Sequence, residues 1–351
     1  MTLDEFDFDL PEDRIALRPM VPRDRSRLLV VRGDGALEDH QFNDLPSLLM
    51  AGDRLIFNET RVLPAALKGV RPARDAIGRD VEVDLNLVEK IGDAQWRVLA
   101  RPGRRLKPGD RIEFTGGFSA QVQARTDDGE IDIQFSLSGD ELHAALEAHG
   151  AMPLPPYIAR RRPADAQDRT DYQTVFAKGE AASVAAPTAG LHFSTELLGE
   201  LDKARIEQDQ VNLTVGLGTF SPLKDSQIEA GRLHEEWRQV TPKTADVLNA
   251  ARAEGQRIIP VGTTALRTLE SAVMPSGVIQ PVSGPTDIFL KPGDALHATD
   301  ALITNFHLPR SSLFMLVCAL MGTETMQRAY AHAIQNKYRF YSYGDACLLV
   351  P

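Results

Sequence analysis

Apolar and polar residues alternate along one long segment of the chain. From Val81 to Leu87 every second residue is apolar, and the same spacing returns from Ile131 to Leu137. A period of two is typical of strands that bury one face. Pro-Gly and Gly-Gly pairs interrupt the pattern, so the strands should be short. The segment 81–137 therefore predicts an all-β module.

On both sides of this module the pattern becomes that of an α/β protein. Strands are predicted at 27–31, 54–57 and 257–261, and helices are predicted over 241–254 and 264–273. The strands that precede the module have core-like sequences. They are therefore expected to join the later strands in one sheet rather than to form a separate domain.

This change of pattern predicts the domain organisation. We expect an α/β main domain, discontinuous in sequence, made of residues 1–62 and 153–351. Residues 63–152 are expected to form an inserted small β-barrel-like domain. The proline-rich stretch 152–157 is the predicted return linker, because consecutive prolines favour an extended and stiff chain.

Length and composition limit the class of protein. The chain has 351 residues, of which 43% are hydrophobic and 25% charged, which suits about two globular domains. Its first residues are acidic, unlike a secretory signal, so a cytoplasmic location is expected. The longest apolar run, 313–321, is too short to span a membrane and predicts a buried helix. The two cysteines, Cys318 and Cys347, provide neither a disulfide framework nor a clustered zinc site.

The net charge of −10 opposes binding of a polyanion, but basic residues cluster locally. One cluster lies between positions 97 and 111, and a second lies at 160–162. On charge alone, a solvated loop face explains both clusters equally well.

Five short segments place polar residues beside glycine or proline: 186–193, 215–222, 234–237, 260–267 and 304–309. The first precedes a helix that Ser194 can cap, and the fourth contains a Gly-Thr-Thr turn before a helix. Free N–H groups at such helix starts bind carboxylates and phosphates.

Each of these segments also has a purely structural interpretation. Threonine capping alone explains 260–267, a surface helix or turn explains 234–237, and a lone buried histidine is usually a hydrogen-bonded structural group. The glycines at 216 and 218 are weak evidence for a Rossmann-type loop, because Pro222 follows where a helix should continue.

Taken together and in order, the segments resemble one family over nearly the whole chain: the S-adenosylmethionine:tRNA ribosyltransferase-isomerases of queuosine biosynthesis. The matching segments are 23–30, 57–62, 172–175, 186–193, 215–220, His234 with Glu236, 261–264, 304–309, 338–340 and 342–346. The chain departs from the family pattern at Leu17, Glu59, Ala66 and Lys291, where the family usually carries Gln, Asp, Arg and Tyr. Ala66 removes a charge, so no role is assigned there.

The resemblance implies an unusual reaction. The ribosyl moiety of S-adenosylmethionine would be transferred and rearranged onto 7-aminomethyl-7-deazaguanine at the tRNA wobble position, giving epoxyqueuosine-tRNA with release of adenine and methionine. S-adenosylmethionine is then a consumed co-substrate, and no metal is required. The expected partners are the tRNA that carries the precursor base and S-adenosylmethionine, with no membrane, and the expected state is a monomer.

The resemblance also suggests roles for residues. His234 and Glu236 are the candidates for proton transfer, and His192 and His307 are alternates. The candidates for binding the cofactor are Pro187, Thr188, Gly190, Gly216, Gly218, Thr219, Phe220, Gly262, Thr263, Thr264, Arg267, Asn305 and Phe306. Local positive charge, rather than the resemblance, gives the candidates for binding tRNA: Arg97, Arg101, Arg104, Arg105, Lys107, Arg160, Arg161 and Arg162.

Two other functions fit parts of the sequence. An ordinary methyltransferase would release S-adenosylhomocysteine instead of adenine and methionine, and the poor match of its glycine loop counts against it. A non-catalytic RNA-binding protein would use the β module, as small β-barrels often do, and would not consume the cofactor.

Overall fold

A computed structural model describes residues 2–127, 129–216, 223 and 225–351. Its strands are β1 (Arg27–Arg32), β2 (Leu37–Gln41), β3 (Arg54–Asn58), β4 (Arg61–Val62), β5 (Ala66–Arg71), β6 (Val81–Lys90), β7 (Gln95–Arg101), β8 (Arg111–Phe114), β9 (Ser119–Arg125), β10 (Ile131–Phe135), β11 (Ala181–Ser183), β12 (Glu207–Leu213), β13 (Arg232–Val240), β14 (Ile258–Val261), β15 (Val282–Ile288), β16 (Leu302–Asn305) and β17 (Ala346–Val350).

The helices of the same residues are mostly short. They are α1 (Leu45–Leu48), α2 (Gly139–His149), α3 (Pro156–Ala159), α4 (Asp168–Asp171), α5 (Thr195–Lys203), α6 (Asp225–Ala230), α7 (Pro242–Ala253), α8 (Thr263–Glu270), α9 (Ser312–Met321) and α10 (Thr323–Gln335). Single 3-10 turns occur at Leu3–Phe6, Glu12–Arg14, Arg23–Arg25, Phe42–Asp44, Gly103–Arg105 and Thr188–His192.

The chain separates into two compact units. The first unit comprises Met1–Thr60, Gln173–Gly179 and Ala186–Pro351, and the second comprises Arg61–Tyr172 and Glu180–Ala185. The predicted inserted domain, 63–152, falls inside the second unit, although its boundaries stay a prediction.

A mixed nine-stranded sheet forms the first unit, in the order β15-β13-β12-β3-β14-β16-β17-β1-β2. All residues of β14 and β16 are buried, which is typical of strands covered on both faces. Leu29 and Val31 of β1 pack in one cluster with α9 and α10, and Leu28 and Val30 pack in another with α5. The sheet and its helices confirm the α/β prediction.

The carboxyl ends of four neighbouring strands meet at one edge of this sheet. β12, β3, β14 and β16 are parallel to one another and adjacent. Asn58, the last residue of β3, donates from Nδ2 to the Leu213 carbonyl at 3.0 Å and accepts from the Leu213 N–H at 3.1 Å. Open α/β sheets bind ligands at such an edge.

The second unit contains a closed antiparallel barrel in the order β10-β7-β6-β5-β8-β9, as the alternating pattern predicted. Inward side chains such as Val83, Leu85, Val98 and Ile133 are almost fully buried, while their neighbours along each strand face outward. The short strands β4 and β11 pair beside one another in the same unit.

Most of the predicted elements have the predicted type. The strand at 257–261 and the helices at 241–254 and 313–321 correspond to β14, α7 and α9, and α8 stops three residues before the predicted end. The linker prediction is wrong in part, because α3 begins at Pro156, where proline suits the first turn of a helix. The surface helix or turn considered for 234–237 is also wrong, because these residues lie within β13. Within the described ranges, every helix is too short or too polar to cross a bilayer.

One prediction concerns the glycine before β17. A Cβ on Gly344 would lie 2.5 Å from the Arg339 carbonyl oxygen and 2.5 Å from the Phe340 carbonyl carbon, whereas a Cβ on Gly199 in α5 would meet nothing within 4 Å. Gly344→Ala should therefore lower the free energy of unfolding by about 1–3 kcal/mol. Gly199→Ala should raise it by about 0.5–1 kcal/mol, because alanine favours the helix. Urea unfolding of both variants measures this, and equal shifts would contradict the close approach at Gly344.

Candidate functional site

Asn305, at the end of β16, connects the strand to the 3-10 turn 188–192. Its Oδ1 accepts a hydrogen bond from Thr188 Oγ1 at 2.9 Å. Its Nδ2 donates to the Tyr341 carbonyl at 3.2 Å and lies 3.1 Å from His192 Nε2. Because a carbonyl can only accept, the Tyr341 contact fixes the orientation of the amide. His192 Nε2 is therefore the acceptor.

The remaining ring nitrogen of His192 must carry the proton. Nδ1 lies 2.8 Å from Ser26 Oγ and donates to it. The ring stacks on Phe42 at 4.9 Å, and burial, together with the positive charges of Arg339 and Arg23, lowers the pKa of His192 to about 3. His192 is thus a neutral imidazole with both nitrogens engaged. This arrangement suits a positioning residue better than a proton acceptor.

His307 is also enclosed by the protein. Its Nε2 lies 3.0 Å from Thr304 Oγ1, and its backbone N–H donates to the Tyr330 hydroxyl at 2.9 Å. Burial lowers the pKa of His307 to about 3. The neighbouring Phe306 packs against the rings of Tyr330, Tyr338 and Phe340 and is part of the core.

A second group of contacts surrounds Glu236 of β13. Arg267 of α8 donates from Nη1 to Glu236 Oε2 at 2.5 Å, and the Gly216 N–H donates to Oε1 at 3.3 Å. Both charged side chains are almost fully buried, with exposed fractions of 4% for Arg267 and 6% for Glu236. Removing one partner of such a buried ion pair strongly destabilises the folded protein, because the other charge stays buried without compensation.

Donor groups remain beside this ion pair. Arg267 Nε and Nη2 and the Thr264 hydroxyl are buried, and none has a hydrogen-bond partner among the residues that the structure describes. Thr264 and Arg267 stand three residues apart on α8, so they share one side of the helix. Buried polar groups without partners are costly, and these donors suit an anionic ligand such as a carboxylate.

The two groups of contacts approach each other in space at the start of α8. Gly262 has a φ of +90°, and its N–H donates to the Ile303 carbonyl at 2.7 Å. A Cβ at Gly262 would lie 3.3 Å from Ala189 Cβ, so the turn 188–192 approaches the helix start closely. The first N–H groups of α8, including those of Thr263 and Thr264, have no carbonyl four residues back within the helix.

His234 lies apart from these contacts. Arg232 pairs with Ile288 and Glu236 with Thr286, so β13 has two extra residues between these pairs and its register shifts. In a regular strand, positions 234 and 236 share a face, but here His234 is exposed and Glu236 is buried. No hydrogen bond joins His234 to any other described residue.

Of the other predicted site residues, some lie at the 3-10 turn 188–192 and others lie outside the described residues. Pro187 precedes the 3-10 turn, and Gly190 lies within it, where a Cβ would be 3.1 Å from Thr174 Cγ2. Gly218, Thr219 and Phe220 lie outside the described residues. The sequence predictions missed Ser26, Phe42 and Tyr341. Ser26 belongs to the segment 23–30, whose family resemblance was the available signal.

Arg97 and Arg162 of the basic clusters are paired with carboxylates. Arg97 is held by Asp132 at 2.9 Å and Glu89 at 3.2 Å, and Arg162 forms two hydrogen bonds with buried Asp168 at 2.7 and 2.6 Å. The other basic candidates are exposed: Arg101, Arg104, Arg105, Lys107, Arg160 and Arg161. Asp110 does not offset them, because Arg74 binds its carboxylate at 2.6 and 2.7 Å. In the part of the chain that the structure describes, no three His, Cys, Asp or Glu side chains come together as metal ligands.

Comparisons with known proteins agree on one family. The family model described as "Queuosine biosynthesis protein" matches residues 3–349. A Hyphomonas neptunium protein named S-adenosylmethionine:tRNA ribosyltransferase-isomerase is 66% identical over 351 residues, covering 100% of both chains. A Maricaulis maris protein of the same name is 53% identical over 350 residues, covering 99% of both.

A solved structure gives the same result. The crystal structure of an S-adenosylmethionine tRNA ribosyltransferase from Thermotoga maritima is similar, with a TM-score of 0.56 and 32% identity, and the match covers 99% of this chain and 100% of that chain. The matched residues include those of the α/β unit and of the barrel. The chain therefore belongs to the queuosine biosynthesis protein family.

Proposed function

We propose that the protein transfers and rearranges the ribosyl moiety of S-adenosylmethionine onto 7-aminomethyl-7-deazaguanine at the wobble position of tRNA, releasing adenine and methionine. The observation that carries this proposal is the buried Arg267–Glu236 pair, beside which donors of Arg267 and Thr264 have no partner among the described residues, in a chain that belongs to this family. The site lies at the sheet edge where α/β proteins bind small ligands.

The methionine carboxylate is assigned to the start of α8. Arg267 offers Nε and Nη2, and Thr264 offers its hydroxyl. The free N–H groups of the first turn add the positive end of the helix dipole. Glu236 then has a supporting part: it holds the guanidinium through Nη1, so that the other donors point to the ligand.

Proton transfer is assigned to His234, with Glu236 as the second candidate. The sulfonium acidifies the C–H group of the adjoining ribose carbon. A base that removes this proton generates an ylide, from which adenine can be expelled. The amine of the tRNA base then attacks the rearranged sugar, and methionine departs. His234 is exposed and has no hydrogen bond to another described residue, whereas both oxygens of Glu236 already accept hydrogen bonds. An active general base contributes about 10²–10⁴-fold to a rate.

His192 and Asn305 act as positioning residues in this proposal. The chain of hydrogen bonds from Ser26 through His192 and Asn305 to Thr188 holds the 3-10 turn against the end of β16. The backbone N–H of His307 donates to the Tyr330 hydroxyl, and this hydrogen bond holds the loop that follows β16. These contacts fix the backbone around the ligand.

Binding of tRNA is assigned to local basic residues, because the net charge of −10 repels the polyanion. Arg104 and Arg105 form an exposed 3-10 turn between β7 and β8 of the barrel, and Arg101 and Lys107 flank it. Arg160 and Arg161 form a second exposed pair in the same unit. Arg97 and Arg162 remain paired with carboxylates and contribute less.

The test is to incubate the protein with S-adenosylmethionine and tRNA that carries the precursor base. Adenine and methionine should appear in equal amounts, and a chelator should leave the rate unchanged. S-adenosylhomocysteine as the product would indicate a methyltransferase instead.

In the same assay, His234→Ala should lower turnover by at least about 10²-fold with unchanged folding, as loss of a general base does. The matched control is Arg232→Ala, which removes an exposed side chain from the same strand and should retain turnover. Normal turnover in His234→Ala would move the role to Glu236.

A second prediction separates two threonines of α8. Thr264→Val removes a buried hydroxyl without a described partner, so the free energy of unfolding should rise by about 1 kcal/mol while S-adenosylmethionine binds about 10-fold more weakly. Thr268→Val removes a hydroxyl that donates to the Thr264 carbonyl at 2.9 Å. This control should lose about 1 kcal/mol of stability and keep its affinity. Calorimetric titration and thermal unfolding measure both effects. Unchanged affinity in Thr264→Val would refute the carboxylate assignment.

A third prediction concerns tRNA. If about four phosphates are contacted, the slope of log affinity against log salt should be about −3. Reversing Arg104 and Arg105 to Glu should weaken tRNA binding and flatten that slope, while the affinity for S-adenosylmethionine stays unchanged. A control with the same change of charge is Lys203→Glu with Lys243→Glu, at exposed positions of α5 and α7. Equal effects of both double variants would show a general charge effect. Unaltered tRNA affinity and slope in the Arg104 and Arg105 variant would show a solvated face and would direct attention to Arg160 and Arg161.

A further inference from the structure

Trp237 is the most chemically distinctive side chain on the open part of the large sheet. It is 54% exposed, whereas Trp96, the other tryptophan of the chain, is 3% exposed inside the barrel. Along β13, Glu235, Trp237 and Gln239 are all exposed, while Glu236 and Val240 are buried. Alternate residues of a strand face opposite sides. Trp237 therefore stands on a solvent-facing side of the sheet.

The neighbours of Trp237 on this face are small or polar. Pro285 of β15 is its direct partner across the ladder and is exposed. Gln239 opposes Asn212 of β12, which places Asn212 and Gln210 on the same face. Lys178 donates to the Gln210 side chain at 2.8 Å and brings a positive charge there. We call this side of the sheet the tryptophan face; its residues are Trp237, Gln239, Pro285, and the half-buried Asn212 and Gln210.

The backbone beneath Trp237 is firmly held. Arg238 donates from Nη1 to the carbonyls of Gly284 and Pro285 at 3.1 and 2.5 Å, and from Nη2 to that of Ser271 at 3.1 Å. The Trp237 carbonyl itself accepts from the Thr214 N–H at 2.8 Å. The ring thus projects from an ordered strand, so a partner that stacks on it need not order the platform first.

Trp237 is also continuous with the candidate site. It directly follows Glu236, and Thr214 lies just beyond the carboxyl end of β12 and just before Gly216, which binds Glu236. Glu236 and Trp237 face opposite sides of β13, so a molecule would contact both the tryptophan face and the rim of the site only by passing around this end of β12.

We infer that Trp237 stacks against an unpaired base of the tRNA anticodon loop. A single exposed aromatic ring with the amides of Gln239 and Asn212 on the same face suits a nucleobase, because bases stack on aromatic side chains and hydrogen-bond through their edges. A stable protein interface would need a wider apolar surface than one ring and one proline. This inference rests on the proposed function and adds to it the residue that would receive a base turned out of its stack.

The experiment uses an anticodon stem-loop RNA and the full-length protein. Trp237→Ala should weaken RNA binding by about 10-fold or more, as loss of one base stack does, and Trp237→Phe should restore most of the affinity. Met274→Ala, an exposed apolar residue on the loop after α8, is the control and should bind RNA normally. The affinity for S-adenosylmethionine should not change in any of the three variants.

A direct signal comes from protein labelled with 5-fluorotryptophan, which has two fluorine resonances because the chain has two tryptophans. Trp237→Phe assigns them, and added RNA should shift the Trp237 resonance while the Trp96 resonance stays in place. RNA that binds without moving the Trp237 resonance and equally well to Trp237→Ala would overturn the inference alone. Failure of any RNA to bind would count against the proposed function itself. A Trp237 shift that depends on protein concentration without RNA would show contact with a second copy and would also overturn the inference.

Discussion

The parallel pairing of β12, β3, β14 and β16 is the constraint on which the candidate site depends. Parallel neighbours end on the same side of a sheet, so the residues that follow them must meet there. Asn58 reinforces this edge by bonding both backbone groups of Leu213 across two strands. The Gly216, Gly262 and Asn305 segments are far apart in the sequence, and the direction of their strands brings them to one edge.

At this edge the protein uses polar groups in two different ways. The group around His192 and Asn305 is satisfied internally, and each nitrogen of the ring has its partner. The group around Arg267 is not, since only one nitrogen of the guanidinium is engaged, by Glu236, within the described ranges. A satisfied network stabilises backbone geometry, and an incompletely satisfied one is stabilised further by a ligand. The two groups therefore have different expected functions, although both contain the residue types typical of active sites.

The charge distribution divides the two units. The first unit holds the buried ion pair, where charges are screened little by water. The second unit presents exposed arginines on turns, while Arg97, Arg74 and Arg162 are paired with carboxylates. Pairing with nearby carboxylates, and not the net charge of the chain, thus decides which basic residues have an uncompensated positive charge that can attract a polyanion. An aromatic side chain such as Trp237 adds a stacking contact with a base. The strength of this contact depends less on salt than that of a phosphate contact.

The sequence by itself determined most of the element types, the barrel and the family, because periodicity and ordered motifs are local properties of the chain. It also gave Glu236, Arg267 and Asn305 as candidate site residues. Only the tertiary structure decided their partners: the register shift in β13 separates His234 from Glu236, and burial makes His192 a neutral acceptor instead of a free base. The same limit applies to Arg97 and Arg162, whose carboxylate partners are set by strand pairing and chain folding. Burial, tautomer and ion pairing depend on residues brought together from distant positions, and no local pattern records them.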